Sequence, residues 1–163
     1  MRRPTESAQY LEFKSTLRWD ITQQTKSHVP EDAVLKTVAA FCNSEHGGTL
    51  VIGVADDGNV FGLEDDYATF SKRGQRGDRD LLGQHLQNLV MNRLGHAAAT
   101  LVEWQFHRID GNDLCRVQVR PSGFPVYDAT DREENFWWRY PIGTVRVSSD
   151  LERERIIAHR WRG

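Results

Sequence analysis

The chain reads as an α+β domain in which β-hairpins and a mixed sheet pack against about three helices. Three observations predict this. Residues 30–66, PEDAVLKTVAAFCNSEHGGTLVIGVADDGNVFGLEDD, read in order as helix, glycine turn and hairpin. A second hairpin pattern is centred on Asp110-Gly111, with alternating apolar residues on both sides. Hairpins set apart by independent helices argue for α+β and against a doubly wound parallel sheet. At 163 residues the chain suits a single domain over its whole length, large enough to bury a real core.

Taken in order, residues 1–5 are expected to fray. Residues 10–16 alternate, with Leu11 and Phe13 on one face and Glu12 and Lys14 on the other, as a half-buried strand does. Residues 15–29 are polar and lack a sustained period, which predicts a long mobile loop. Pro30 then suits a first helical position, and Glu31 and Asp32 favour the positive helix start. Val34, Leu35, Val38, Phe41 and Cys42 share one helical face. Residues 43–48 stop that helix. Residues 49–55 are a mostly apolar, β-branched run, Asp57-Gly58 is a tight-turn signal, and residues 60–63 are expected to return as a second strand. Residues 67–77 read as a glycine-punctuated basic loop. Asp78 or Asp80 can cap a helix running to about Leu94, with Leu82, Leu86, Leu89 and Val90 inward and Gly95 as its stop. Val102, Trp104 and Phe106 form one arm of the second hairpin, and Cys115, Val117 and Val119 the other. Residues 121–135 are irregular, 136–140 and 144–147 read as short strands, and Ser149 with Glu152 makes a capping box for a last helix.

Composition narrows the function classes. With 39% hydrophobic and 27% charged residues, global disorder is excluded. No apolar run approaches the ~20 residues of a membrane span, and Met1-Arg2-Arg3 is not followed by a secretory apolar core. A cytoplasmic location with no membrane partner is therefore expected. Cys42 and Cys115 fall on predicted core faces, so buried thiols are expected in place of a disulfide or zinc site. The six histidines lack close metal-ligand spacing, Gly47-Gly48 lacks the lysine and hydroxyl residue of a phosphate loop, and no serine sits in a nucleophile elbow. The net charge of −2 and pI of about 6.3 do not announce a nucleic-acid binder. The distribution does more: Lys72, Arg73, Arg76 and Arg79 cluster in one loop, and six arginines face three acids from Arg139 onward. Trp137 and Trp138 are adjacent, so in a strand they point to opposite faces, one toward the core and the other half-buried, facing a partner or stacking on a base.

The run AAFCNSEHGGTLVIGVADDGNVFGLEDD resembles the core motif of the Schlafen-type AlbA-like domain family, a family of DNA-binding-type domains. Glu6-Ser7 with Leu11-Glu12-Phe13-Lys14 is similar to the family's ES…EFK opening, and Arg139, Gly143-Thr144 and Arg146 match its downstream segment. Together these span nearly the whole chain. The resemblance implies an AlbA-like α+β fold and a nucleic-acid partner, DNA or RNA. In the family's nucleases, matching carboxylates form a metal-dependent site, which here implies Glu6, Glu12 and Asp56 as catalytic residues and as ligands to Mg²⁺ or Mn²⁺, the hard cations that prefer carboxylate oxygens. Phosphate contacts are expected from Lys14, Lys72, Arg73, Arg76, Arg79, Arg139 and Arg146. Pairing of lobes in the family further implies a homodimer. Two departures matter: the glutamates stand one residue further apart than in the usual opening, and Ser44-Glu45-His46 is one residue longer than the usual run before the glycines. The leading expectation is therefore a non-catalytic or regulatory nucleic-acid-binding domain. A metal-dependent endoribonuclease is the alternative, and a protein-interaction module the third.

Overall fold

The computed structural model describes residues 9–162. From the N-terminal side, β1 (Leu11–Lys14) leads to the two-residue strands β2 (Trp19–Asp20) and β3 (Thr25–Lys26), then helix α1 (Val29–Asn43) and strand β4 (Gly48–Ile52). A single turn, α2 (Glu64–Ala68), precedes the longer α3 (Arg79–Leu94) and the short α4 (His96–Ala99). Strands β5 (Val102–Ile109) and β6 (Asn112–Val119) form a hairpin. The short β7 (Asp128–Ala129) and β8 (Glu134–Asn135) follow, then β9 (Trp137–Tyr140), β10 (Gly143–Arg146) and helix α5 (Asp150–Ile157), which runs on into a π-helical turn.

The main sheet has the order β1-β4-β6-β5. β1 lies parallel to β4, with Glu12 opposite Leu50 and Lys14 opposite Ile52, while β4 runs antiparallel to β6 and β6 to β5. Asp110 and Gly111 both take positive φ, 50° and 80°, the backbone that a two-residue hairpin joining right-twisted strands requires. Helix α1 lies on one face of the sheet. Val34, Leu35, Val38, Phe41 and Cys42 are fully buried there with Leu50, Ile52, Cys115 and Val117. Burial in this apolar layer pushes both thiols up to about 12, so they stay protonated and unreactive. Helix α3 is capped by Asp78, whose carboxylate accepts from the Leu81 amide, and it adds Leu82, Leu86 and Val90 to the same core. Phe136, Val147 and Ile157 form a smaller second cluster under α5. Ser149 caps α5 by accepting from Glu152 N, while the Glu152 carboxylate pairs with Arg155, so only half of the capping box forms.

Three expectations change. The hairpin expected over residues 49–63 is a tight turn with one bridge, Val54 to Val60, and no return strand. Both edges of β4 are already occupied by β1 and β6, so no row of free amides and carbonyls remains for a third neighbour. Gly53, at φ 98°, redirects the chain, and its carbonyl accepts from both Phe61 N and Gly62 N. The loop expected at residues 15–29 holds the small β2–β3 pair and is pinned from a distance. The Asp66 carboxylate accepts the amides of Leu17, Arg18 and Trp19 at 2.8–2.9 Å, and Leu17 is fully buried. Finally, β1 turns its polar side, not its apolar one, toward the helix layer. Glu12 and Lys14 share the face of buried Leu50 and Ile52, whereas Leu11 is 38% exposed. β1 is the outer strand, and the cover on its inner side is an arginine.

Candidate nucleic-acid interface

That arginine is Arg139, on β9. Its side chain is 3% exposed, with Nε donating to the Gln9 carbonyl at 2.8 Å, Nη1 to Thr144 Oγ1 at 3.1 Å and Nη2 to Glu12 Oε2 at 2.8 Å. The guanidinium also stacks 5.1 Å from the Phe41 ring centroid. Phe41 packs on the start of β4 at a distance that only a glycine allows, because a Cβ at Gly48 would lie 2.4–2.5 Å from its ring carbons. A core helix residue, a glycine and a buried arginine thus aim the Glu12 carboxylate.

The β9–β10 hairpin carries Pro141 and Ile142 at its tip and closes one wall of a cleft of about 360 Å³. Leu11, Glu12, Phe13 and Asp56 also line it. Asp56 reaches the cleft because β1 and β4 run parallel and end together: Gly53 N and Val54 N both turn onto the Lys14 carbonyl, at 2.7 and 3.3 Å. On the other side of Ile142 lies a nearly all-polar cavity of about 240 Å³, lined by Lys14, Lys36, Arg139 and Thr144 among others. Glu12 borders both. Its Oε1 lies 3.5 Å from Lys14 Nζ and its Oε2 is bonded to Arg139, so each carboxylate oxygen already faces a cation.

Of the three carboxylates expected to meet, Glu12 and Asp56 share the cleft and Glu6 lies outside the described residues. Among the described residues no group of three histidine, cysteine or acidic side chains is close enough to hold a metal ion. Two carboxylates, one of them engaged by arginine and lysine, do not make a divalent-cation site on their own.

The expected phosphate contacts separate into two groups. Lys14 lies at the cleft, while Lys72 and Arg73 stand exposed in the 71–77 loop. Arg139 is a brace, not a surface cation, because its guanidinium is consumed by internal partners. Arg79 is clamped to Asp113 by two hydrogen bonds, at 2.9 and 3.0 Å. Those bonds, with a third from Tyr67 Oη, hold the Asp113 carboxyl down at about 2. Arg76 pairs with Glu64 at 2.6 Å and Arg146 with Glu133 at 3.0 Å, both exposed pairs that a stronger anion can open. The adjacent tryptophans do point apart. Trp137 packs on the main core, and Trp138 stacks on Phe136 in the second cluster, their centroids 6.3 Å apart. Lys36 and Ile142 were not singled out in the sequence. The available signal for Lys36 was a lone lysine inside the buried run VLKTV; Ile142, 94% exposed, carried none.

A mixed sheet packed by separate helices, whose parallel strand pair ends at a cleft lined by Glu12 and Asp56, defines an α+β domain. The chain belongs to the Schlafen AlbA_2 family, whose model matches residues 7–148. Among solved structures, the DIP2311 protein from Corynebacterium diphtheriae is similar in fold, with a TM-score of 0.62 at 19% identity over 93% of this chain. This chain spans 24% of that protein's length. The N-terminal domain of a Nitrosomonas europaea protein described as related to the ATP-dependent DNA helicase RecG matches with a TM-score of 0.48 at 21% identity, covering 92% of each chain. A search of curated protein sequences finds no match. No helix among the described residues is long and apolar enough to cross a membrane.

Proposed function

We propose that this domain binds nucleic acid through the face formed by β1, the turn after β4 and the β9–β10 hairpin, and that it does so without cutting the strand. The observation that carries this is the state of Glu12. Both of its oxygens face cations of the protein itself, Arg139 at 2.8 Å and Lys14 at 3.5 Å. A carboxylate so neutralised no longer repels a phosphate brought beside it, while Lys14 and the cavity next to it supply positive potential. Membership of the Schlafen AlbA_2 family supports the same reading. The test is to incubate the pure protein with labelled tRNA, single-stranded RNA and duplex DNA, with Mn²⁺ or with chelator, and to measure retention and strand integrity together. Salt-sensitive binding with intact strands is expected. No binding to any of the three at low salt would refute it.

One observation favours a second reading, metal-dependent cleavage: Glu12 and Asp56 open onto a single cleft. Under that reading Mn²⁺ raises the melting temperature and produces RNA fragments, and Glu12→Gln and Asp56→Asn each remove both effects. Pairing of two copies into a cradle is the accompanying assembly proposal. A sedimentation mass near the chain's own 18.7 kDa at micromolar concentration counts against it.

A further inference from the structure

The main sheet has two edges of unequal length. β1 is four residues long, whereas β5 runs for eight, and no strand among the described residues pairs with its outer side. The register of β5 with β6 continues unbroken from Val102 to Ile109, without proline or bulge, two of the devices that blunt an edge. Which of its groups are free follows from that pairing. Asp110-Gly111 joins Ile109 directly to Asn112, and the Leu101 carbonyl accepts from Arg120 N at 2.9 Å, so odd-numbered residues turn their amides and carbonyls toward β6. Val102, Trp104, Phe106 and Arg108 turn theirs outward, where no described backbone group bonds them. The space beside the edge is also open. A groove of about 430 Å³ lies between α3, at Asp80, Gln84 and Gln87, and the half-buried Trp104 and Phe106. A row of outward amides and carbonyls next to an aromatic groove is a template for one more strand.

The strand that fits this template is β5 itself. When two copies run antiparallel about a two-fold axis through Gln105, Trp104 meets the partner's Phe106 and Val102 meets the partner's Arg108, each pairing occurring twice. All four residues carry outward groups, so this register forms about eight backbone hydrogen bonds, and a slip of two residues either way loses about a quarter of them. Charge agrees with it. Glu103 falls opposite the partner's His107 and one residue from the partner's Arg108, so the acidic end of each strand lies against the basic end of the other. Trp104 and the partner's Phe106 then lie together on the groove side.

We propose that the outer edge of β5 is the surface on which two copies of this chain pair, giving one continuous eight-stranded sheet. The proposal rests on the pairing of copies put forward above and assigns it a surface. The cleft of Glu12 and Asp56 borders β1, at the far edge of the sheet, and stays open in both copies.

The test combines sedimentation with site-directed crosslinking of the full chain. Wild type at micromolar concentration should sediment with twice the 18.7 kDa chain mass. Gln105→Cys, once oxidised, should form a disulfide-linked dimer, because position 105 faces itself at the ~4.5 Å Cα separation of a non-hydrogen-bonded pair, within disulfide range. Cys42 and Cys115 are buried and should leave wild type unlinked. Glu103→Cys alone should not link, since its counterpart lies ~13 Å further along the strand, but it should link when mixed with His107→Cys. Arg108→Pro removes an outward amide without touching the β6 pairing and should weaken the dimer roughly 30-fold, the worth of two hydrogen bonds. A wild-type mass near 18.7 kDa overturns the pairing of copies and this surface together. A wild-type dimer in which Gln105→Cys stays unlinked overturns β5 as the interface and leaves the pairing standing. Equal linking through positions 103 and 105 would show chance collision and overturn the register. Unchanged association in a folded Arg108→Pro also overturns the proposal, and the crosslinking pattern decides alone if that variant does not fold.

Discussion

Replacing Arg139 tests the link between core and cleft most directly. Its guanidinium is 3% exposed, donates to the Gln9 carbonyl, Thr144 and Glu12, and stacks on Phe41. Breaking a buried ion pair by removing one partner costs about 3–5 kcal/mol, because the other partner stays unpaired. Glu12 is 25% exposed and regains some water, which places the expected loss for Arg139→Met at the lower end, about 3 kcal/mol. For a domain of this size that corresponds to a melting temperature about 6–12 °C lower. Urea unfolding should show the midpoint falling with its slope unchanged. Arg139→Lys keeps the charge but loses the planar fork, and should recover only part of the loss. Combining Arg139→Met with Glu12→Gln should be less than additive by about 0.5–3 kcal/mol, since the two side chains share one interaction. A loss below about 1 kcal/mol for Arg139→Met, the size of a surface change, would refute its role as a brace.

Three further outcomes follow from the same geometry. Phe41→Ala, at a fully buried position beneath Arg139, should cost about 3–5 kcal/mol by calorimetry or urea unfolding, and a loss below about 1 kcal/mol would mark the site as collapsible. The Asp113 carboxyl is lowered from 3.8 to about 2 by the Arg79 bond; its stabilisation, about 2 kcal/mol, is therefore present above pH 4 and lost as pH falls toward 2. Wild type and Asp113→Asn should accordingly differ in unfolding free energy at pH 7 and converge at pH 2, and a gap that persists at pH 2 would point to a cause other than ionisation. Lys14→Gln should weaken nucleic acid about equally across sequences and flatten the salt slope by about 0.7 to 0.9, read by anisotropy at several salt concentrations, whereas an unchanged slope would place the interface elsewhere.

Much of the architecture is legible in the sequence because it is local. The apolar spacing of Val34, Leu35, Val38, Phe41 and Cys42 is a helix face whatever it packs against, and α1 spans Val29–Asn43 accordingly. Asp110-Gly111 specifies its hairpin turn through the positive φ those two residues tolerate, and Asp78 caps α3 through its neighbour three residues on. Of the three carboxylates that the family motifs single out, Glu12 and Asp56 line one cleft and Glu6 lies outside the described residues.

What tertiary structure alone decides is which surfaces are taken. Residues 60–63 carry a plausible strand pattern, yet both edges of β4 are filled by partners far along the chain. Residues 15–29 lack any periodic signal, yet Asp66 orders them across a separation of nearly fifty residues. Alternation in β1 shows that Glu12 and Lys14 share a face but not which layer that face meets. The answer depends on Arg139, whose burial is invisible in sequence because an arginine on a surface strand and one spending its donors inside read alike. The same holds for Lys36, a lone charge in an apolar helix whose place over the Trp137 ring exists only once β9 has packed against α1.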